Sequence, residues 1–149
     1  MPAARSFDGS PNGTIPVARL RGSPDGSMLW AYGSGRMVVV DTLSNTAGAD
    51  FAFPGGPRDF VFHPDGTRVY AAAINKVNVI DTTTFTQIAQ IPLEGAVDTV
   101  RMVITPDGFD LFVRDDIGGN LYRIETATNT VAQRIEKNAG WVSFMAFAL

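Results

Sequence analysis

The chain has 149 residues, 45% hydrophobic and 18% charged, with a net charge of −3; this suits one compact domain and supplies no basic field for nucleic acid. Zero cysteines remove disulfides, thiol nucleophiles, iron–sulfur clusters and cysteine-type zinc sites together. No stretch approaches the roughly 18 apolar residues of a membrane-spanning helix, and Met1 to Gly9 holds no apolar signal-peptide core.

In chain order, residues 1–16, with Gly9, Pro11, Gly13 and Pro16, read as an irregular lead-in. Three similar units follow over 17–54, 55–93 and 94–137, and residues 138–149 read as the first strand of a fourth. The units are marked by Pro24-Asp25-Gly26, Pro64-Asp65-Gly66 and Pro106-Asp107-Gly108, 40 and 42 residues apart. A second marker, Val40-Asp41-Thr42, Ile80-Asp81-Thr82 and Ile124-Glu125-Thr126, sets its acid 15, 15 and 17 residues beyond the glycine of the first. Two markers with one period imply an internal repeat, and a period near forty is that of a four-stranded propeller blade.

The middle unit shows the pattern most clearly. Strand A is Arg58 to His63, strand B Thr67 to Ala73, strand C Lys76 to Asp81 and strand D Gln87 to Pro92. Each is a short run rich in β-branched or aromatic residues between turn residues, and no window carries a helical period. Pro presets φ, Asp closes an Asx turn and Gly accepts φ > 0, so the first marker is the A-to-B turn. The acid and threonine of the second marker are expected to bond their own backbone at the C-to-D corner. Ala47-Gly48-Ala49 is a weak strand D in the first unit, and Arg123 stands where an apolar residue is expected in the third. Residues 141–149 align Met145-Ala146-Phe147-Ala148 with Phe60-Val61-Phe62-His63. That surplus strand A favours a piece of a longer propeller over a ring completed by a second copy. Its open apolar edge would pair with another molecule.

The segments Val69-Tyr70-Ala71 and Val77-Asn78-Val79-Ile80-Asp81-Thr82-Thr83-Thr84-Phe85-Thr86 resemble the YVTN-type β-propeller repeat, and the resemblance runs from about Val17 to Leu149. It implies an all-β fold, a partial β-propeller of three four-stranded antiparallel blades plus an extra inner strand. It also implies an extracytoplasmic location, periplasmic or at the cell surface, since such repeats occur in surface-layer and periplasmic propellers. It implies no one activity, because propellers host unrelated functions.

Catalytic patterns are sparse. The one histidine, His63, ends strand A where the other units have Ser23 and Thr105, which makes it a turn-capping side chain. Gly-x-Ser-x-Gly, His-Glu-x-x-His, EF-hand and phosphate-loop motifs do not occur. No catalytic, metal or cofactor residue is assigned.

In an up-and-down blade the A-to-B and C-to-D turns share one end, and the B-to-C turns and D-to-A links share the other. Only the second end varies here, and its charged residues are Arg58, Asp59, Asp98, Arg101, Arg114, Asp115 and Asp116, the last three in the longest B-to-C loop. Variable charged loops on a rigid scaffold are where binding resides. These residues form the candidate binding face of a non-catalytic module that takes a protein or a glycan. The alternative is part of a lactonase-like or quinoprotein dehydrogenase-like enzyme, with Asp59, Glu94 and Asp98 among its channel residues.

Overall fold

Short β-branched and aromatic runs bounded by turn residues become strands throughout the computed structural model, which describes residues 19–33, 35–53 and 56–136. The chain divides into two units, Met1–Gly56 and Pro57–Leu149. The first holds β1 (Arg19–Gly22), β2 (Met28–Gly33), β3 (Arg36–Asp41) and β4 (Thr46–Ala52), in one sheet of order β1-β2-β3-β4. The second holds β5 (Asp59–Phe62), β6 (Arg68–Ala73), β7 (Lys76–Asp81) and β8 (Gln87–Pro92) in one sheet, and β9 (Thr99–Ile104), β10 (Asp110–Asp115), β11 (Asn120–Glu125) and β12 (Thr130–Glu136) in another. All neighbours are antiparallel and sequential. No helix occurs among the described residues. The strand expected at Trp141 to Leu149, with the self-association expected of its edge, lies outside them.

The first marker closes its hairpin as its chemistry requires. The Asp25, Asp65 and Asp107 carboxylates accept the amides of Ser27, Thr67 and Phe109 at 3.0, 2.8 and 3.0 Å. Gly66 then turns the chain at φ 76°, a left-handed conformation that costs a side chain strain. Ser23 and Thr105 cap their turns through Asp25 and Asp107 at 2.6 and 2.5 Å, the role expected of the His63 position. The Ser23 hydroxyl, with help from Ser27, pulls the Asp25 carboxyl down to about 2.

The threonine of the second marker acts differently from expectation. Asp81 does bond its own corner, accepting the Thr83 and Thr84 amides at 2.8 and 2.7 Å. The hydroxyls of Thr42, Thr82 and Thr126 instead reach the other turn, donating to the carbonyls of Gly26, Gly66 and Gly108 at 2.5, 2.7 and 2.5 Å. Strand B begins beside the end of strand C, so the first glycine carbonyl lies across from this threonine and the two turns are tied together.

Two backbone features repeat with the same period. Each C–D pair carries a register shift, after Val38, Val79 and Arg123. Gly48 lies in the first of these, so the weak strand signal of Ala47-Gly48-Ala49 belongs to a β-bulge inside a formed strand. Asn45, Phe85 and Asn129 each adopt positive φ, near 52°, 56° and 53°, four residues past the marker acid. Asparagine tolerates this region; phenylalanine is strained in it.

In the second unit the middle and third sheets enclose a core of Tyr70, Ala72, Val77, Val79, Ile91 and Leu93 on one side and Met102, Leu111, Val113, Tyr122 and Ile124 on the other. β6 and β7 of the middle sheet are buried on successive residues, whereas β10 and β11 alternate buried and half-buried. Arg123 occupies a half-buried position of that alternation and ion-pairs with Asp110 at 3.0 Å. Polar groups of three middle-sheet side chains tie across to the third sheet. His63 donates from Nε2 to the Gly108 carbonyl at 3.1 Å, Arg68 donates to the Thr126 carbonyl at 3.1 Å, and the Met102 amide donates to Asp59 at 3.1 Å.

Two substitutions test the turn chemistry. A Cβ at Gly66 meets nothing within 4 Å, so Gly66→Val should cost about 1–3 kcal/mol through backbone strain alone. Phe85→Asn, the residue both other corners use, should stabilise by about 1 kcal/mol. Urea midpoints at constant m-value read both, and a destabilised Phe85→Asn would mean that the ring's packing outweighs its strained backbone.

Candidate binding face

The variable end of the second unit is built from the Leu93–Asp98 link into the third sheet and from the two B-to-C turns, at Ile74-Asn75 and at Asp116–Gly119. These three segments are laced together. Thr99 is fully buried and bonds the preceding corner twice, its amide to the Ile74 carbonyl at 3.2 Å and its hydroxyl to the Ala73 carbonyl. The Asp116 amide donates to the Asp98 carbonyl at 3.0 Å.

Asp115 is the centre of this lacing. It is 1% exposed, and its carboxylate accepts the amides of Val97, Asp98 and Gly118 at 3.2, 2.9 and 3.1 Å and the Asn120 side chain at 3.4 Å. Burial pushes its carboxyl up, but the amides of Asp98, Gly118 and Val97 outweigh that, and the net shift is downward from the ordinary carboxylate value. A Cβ at Gly118 would fall on this carboxylate, so the first residue of Gly118-Gly119 is not a filler but the close approach that lets the loop wrap its acid.

The other expected face residues fall into three groups. Asp59, 2% exposed, faces inward and accepts the Met102 amide, so like Asp115 it is a buried anchor and not a solvent-facing charge. Arg58 and Asp98 form an ion pair at 3.3 Å, and Arg114 pairs with Asp116. Arg101 is exposed, sits directly opposite Arg114 in the β9–β10 register, and has no carboxylate against it among the described residues. Glu94 is exposed, and its carbonyl, not its carboxylate, takes the Tyr122 hydroxyl at 2.9 Å. Asp59 and Asp98 are therefore not open acids, and no group of three His, Cys, Asp or Glu suited to a metal occurs among the described residues.

Sequence reasoning about charge missed the aliphatic residues of this end. Ile74, Val97 and Ile117 are 55%, 50% and 69% exposed, one on each of the three laced segments. The signal was present: each is an apolar residue in a turn or link, where strand burial cannot account for it.

With this geometry in hand, the chain is similar to the solved structure of Kuenenia stuttgartiensis hydrazine synthase, at 22% identity and a TM-score of 0.75 over 87% of this chain. The chain spans 39% of that longer chain. The neighbour contains a β-propeller, and at this identity the likeness establishes fold and no more. The fold is a partial β-propeller, with the three four-stranded sheets as its blades. No family model matches the chain, and no curated protein does.

The lacing carries a pH signature. A group whose folded pKa is depressed stabilises fully above its unfolded value and less as pH falls through the folded one. The Asp115 contribution should thus persist at neutral pH and fade below 3.8. Asp115→Ala leaves several amides without an acceptor and should cost at least about 2 kcal/mol at pH 7. The difference between wild type and variant should shrink as pH falls below the ordinary carboxylate range; a pH-independent difference in urea melts would show that the carboxylate's charge is not what holds the loops.

Proposed function

We propose that this chain is a non-catalytic propeller repeat module of the YVTN type, part of a larger extracytoplasmic propeller, acting as a binding scaffold through the variable end of its blades. The observation that carries this reading is the Asp115 hub. One buried carboxylate gathers three loop amides, so the loops are held in a preformed surface, and preformed loops lose little entropy on binding. The charges around that hub support the same reading. Arg58 pairs with Asp98 and Arg114 with Asp116, which suits a recognition surface better than acid–base chemistry, where an open group must reach a substrate. The motif resemblance in the middle repeat supports the family and, through it, the location at the periplasm or cell surface.

The competing enzyme reading is tested directly. The purified chain should hydrolyse no lactone or ester in a panel with added divalent cations, and should reduce no acceptor dye with an alcohol and an added quinone cofactor. Turnover above a heat-denatured control that Asp98→Asn removes would overturn the scaffold reading. Protease added to source cells, intact or with only the outer membrane permeabilised, should cleave the native protein; protection until the cytoplasmic membrane is lysed would overturn the location.

A further inference from the structure

We infer that Asp107-Gly108 is a site of spontaneous covalent modification, where Asp107 isomerises to an isoaspartyl residue and so releases a tie between the middle and third blades. The reaction needs only these two residues and water. In an Asp-Gly pair no Cβ on the second residue hinders approach of its amide nitrogen to the aspartate Cγ. The nitrogen bonds to Cγ, its proton and one carboxyl oxygen leave as water, and a five-membered succinimide ring closes. Water then adds back to the ring. Breaking the nitrogen–Cγ bond restores aspartate. Breaking the bond between the nitrogen and the aspartate main-chain carbonyl carbon leaves a free carboxylate there and routes the chain through Cβ and Cγ, at unchanged mass.

All three A-to-B turns carry the pair. In each, the glycine amide is engaged by a carbonyl: Gly26 by Ser23 at 2.9 Å, Gly66 by His63 at 2.9 Å and Gly108 by Thr105 at 2.8 Å. The attack therefore waits on local opening of the turn, and the three turns differ in how firmly they hold the carboxylate. Asp25 accepts the Ser23 hydroxyl, the Ser27 amide and, on both oxygens, the Ser27 hydroxyl. Asp65 accepts the Thr67 amide and hydroxyl and lies 2.8 Å from His63 Nδ1. Asp107 is exposed and accepts the Thr105 hydroxyl and the Phe109 amide alone among the described residues, because Phe109 brings no hydroxyl where Ser27 and Thr67 each bring one. The same bonds favour the ionised carboxylate, which expels water less readily than the acid; the hydroxyl of Ser23, with help from Ser27, draws Asp25 down to about 2.

The third turn is also where the product has the widest effect. The Gly108 carbonyl accepts the Thr126 hydroxyl at 2.5 Å and His63 Nε2 at 3.1 Å, and the His63 ring lies so close that a Cβ on Gly108 would meet it at 2.8 Å. Among the described residues, the Gly26 and Gly66 carbonyls accept their threonine hydroxyls and no bond from a neighbouring blade. An isoaspartyl residue adds one methylene to the backbone ahead of Gly108 and takes the carboxylate away from the Phe109 amide. The Gly108 carbonyl is displaced, and its bonds to Thr126 and His63 are lost together.

The purified chain is aged for weeks in warm neutral buffer and digested with trypsin, which places the three sites in peptides 22–36, 59–68 and 102–114. Isoaspartate should build up fastest in 102–114, as a peptide of unchanged mass and altered retention that follows a form one water lighter. Phe109→Thr, at a position 68% exposed, supplies the missing hydroxyl and should slow the reaction about fivefold, the order of one net hydrogen bond. His63 is the one histidine of the chain, so its ring gives a single set of NMR signals. A second set should grow in proportion to isoaspartate in 102–114, and Asp107→Ser, which cannot close the ring, should keep one set. Thermal melts confirm that both variants fold. The inference is overturned if 102–114 stays unmodified, if either other peptide isomerises faster, if Phe109→Thr leaves the rate unchanged, or if the His63 signals do not respond to the modification.

Discussion

The hydrogen bond from one threonine per repeat to the carbonyl of the preceding turn's glycine is the constraint on which the rest of the architecture depends. Strands B and C are the central pair of each blade, and their hairpin would be free to splay at the end away from its B-to-C turn. Thr42, Thr82 and Thr126 close that end by joining the C-to-D corner to the A-to-B turn, and their amides add a second bond to Ser27, Thr67 and Phe109. The Asp in the first marker and the acid in the second then hold each turn in the conformation that aims the glycine carbonyl across. A four-stranded sheet with no helix against it needs such local ties, because its hydrogen bonds alone do not fix the angle at which the outer strands leave the hairpin.

The other end of the second unit is held by contacts that occur once. Asp115 binds amides of the link and of its own loop, Thr99 binds the neighbouring corner, and Asp59 binds the amide of Met102. A buried carboxylate receiving several amides holds the loops more strongly than the partly exposed ion pairs around it. Arg58–Asp98 and Arg114–Asp116 are therefore better understood as setting the charge pattern of the surface than as holding it together. Periodic contacts build the scaffold, and unique contacts shape the surface on which recognition depends.

Much of the fold was legible because the turn residues act locally. The strands expected at Lys76 to Asp81 and Gln87 to Pro92 form over those residues, since Asp65, Gly66 and Asp81 dictate the turns within a few residues of themselves. The bulge at Gly48 was misread as weakness because an unpaired residue lacks strand character even inside a strand. The burial of Asp59 and Asp115 was not legible at all. Whether an acid is a surface charge or an anchor depends on amides that arrive from elsewhere, and the Met102 amide is 43 residues beyond Asp59. The threonine hydroxyls were misassigned for the same reason, their acceptors lying 16 or more residues back.

The repeat equivalence also shows where the blades stop being interchangeable. The middle blade reaches the third through Asp59, His63 and Arg68, and the corresponding positions of the third blade, 42 residues on, are Arg101, Thr105 and Asp110. Each replacement removes the ability to make the same bond. A guanidinium cannot accept a backbone amide, a threonine spends its short hydroxyl on Asp107 within its own turn, and an aspartate cannot donate to a carbonyl. Asp110 instead pairs with Arg123 across its own sheet. The backbone could repeat indefinitely, but the side chains that join the middle blade to the third do not recur on the third, so whatever packs against its outward face must bring an acceptor for Arg101 and partners of a different polarity.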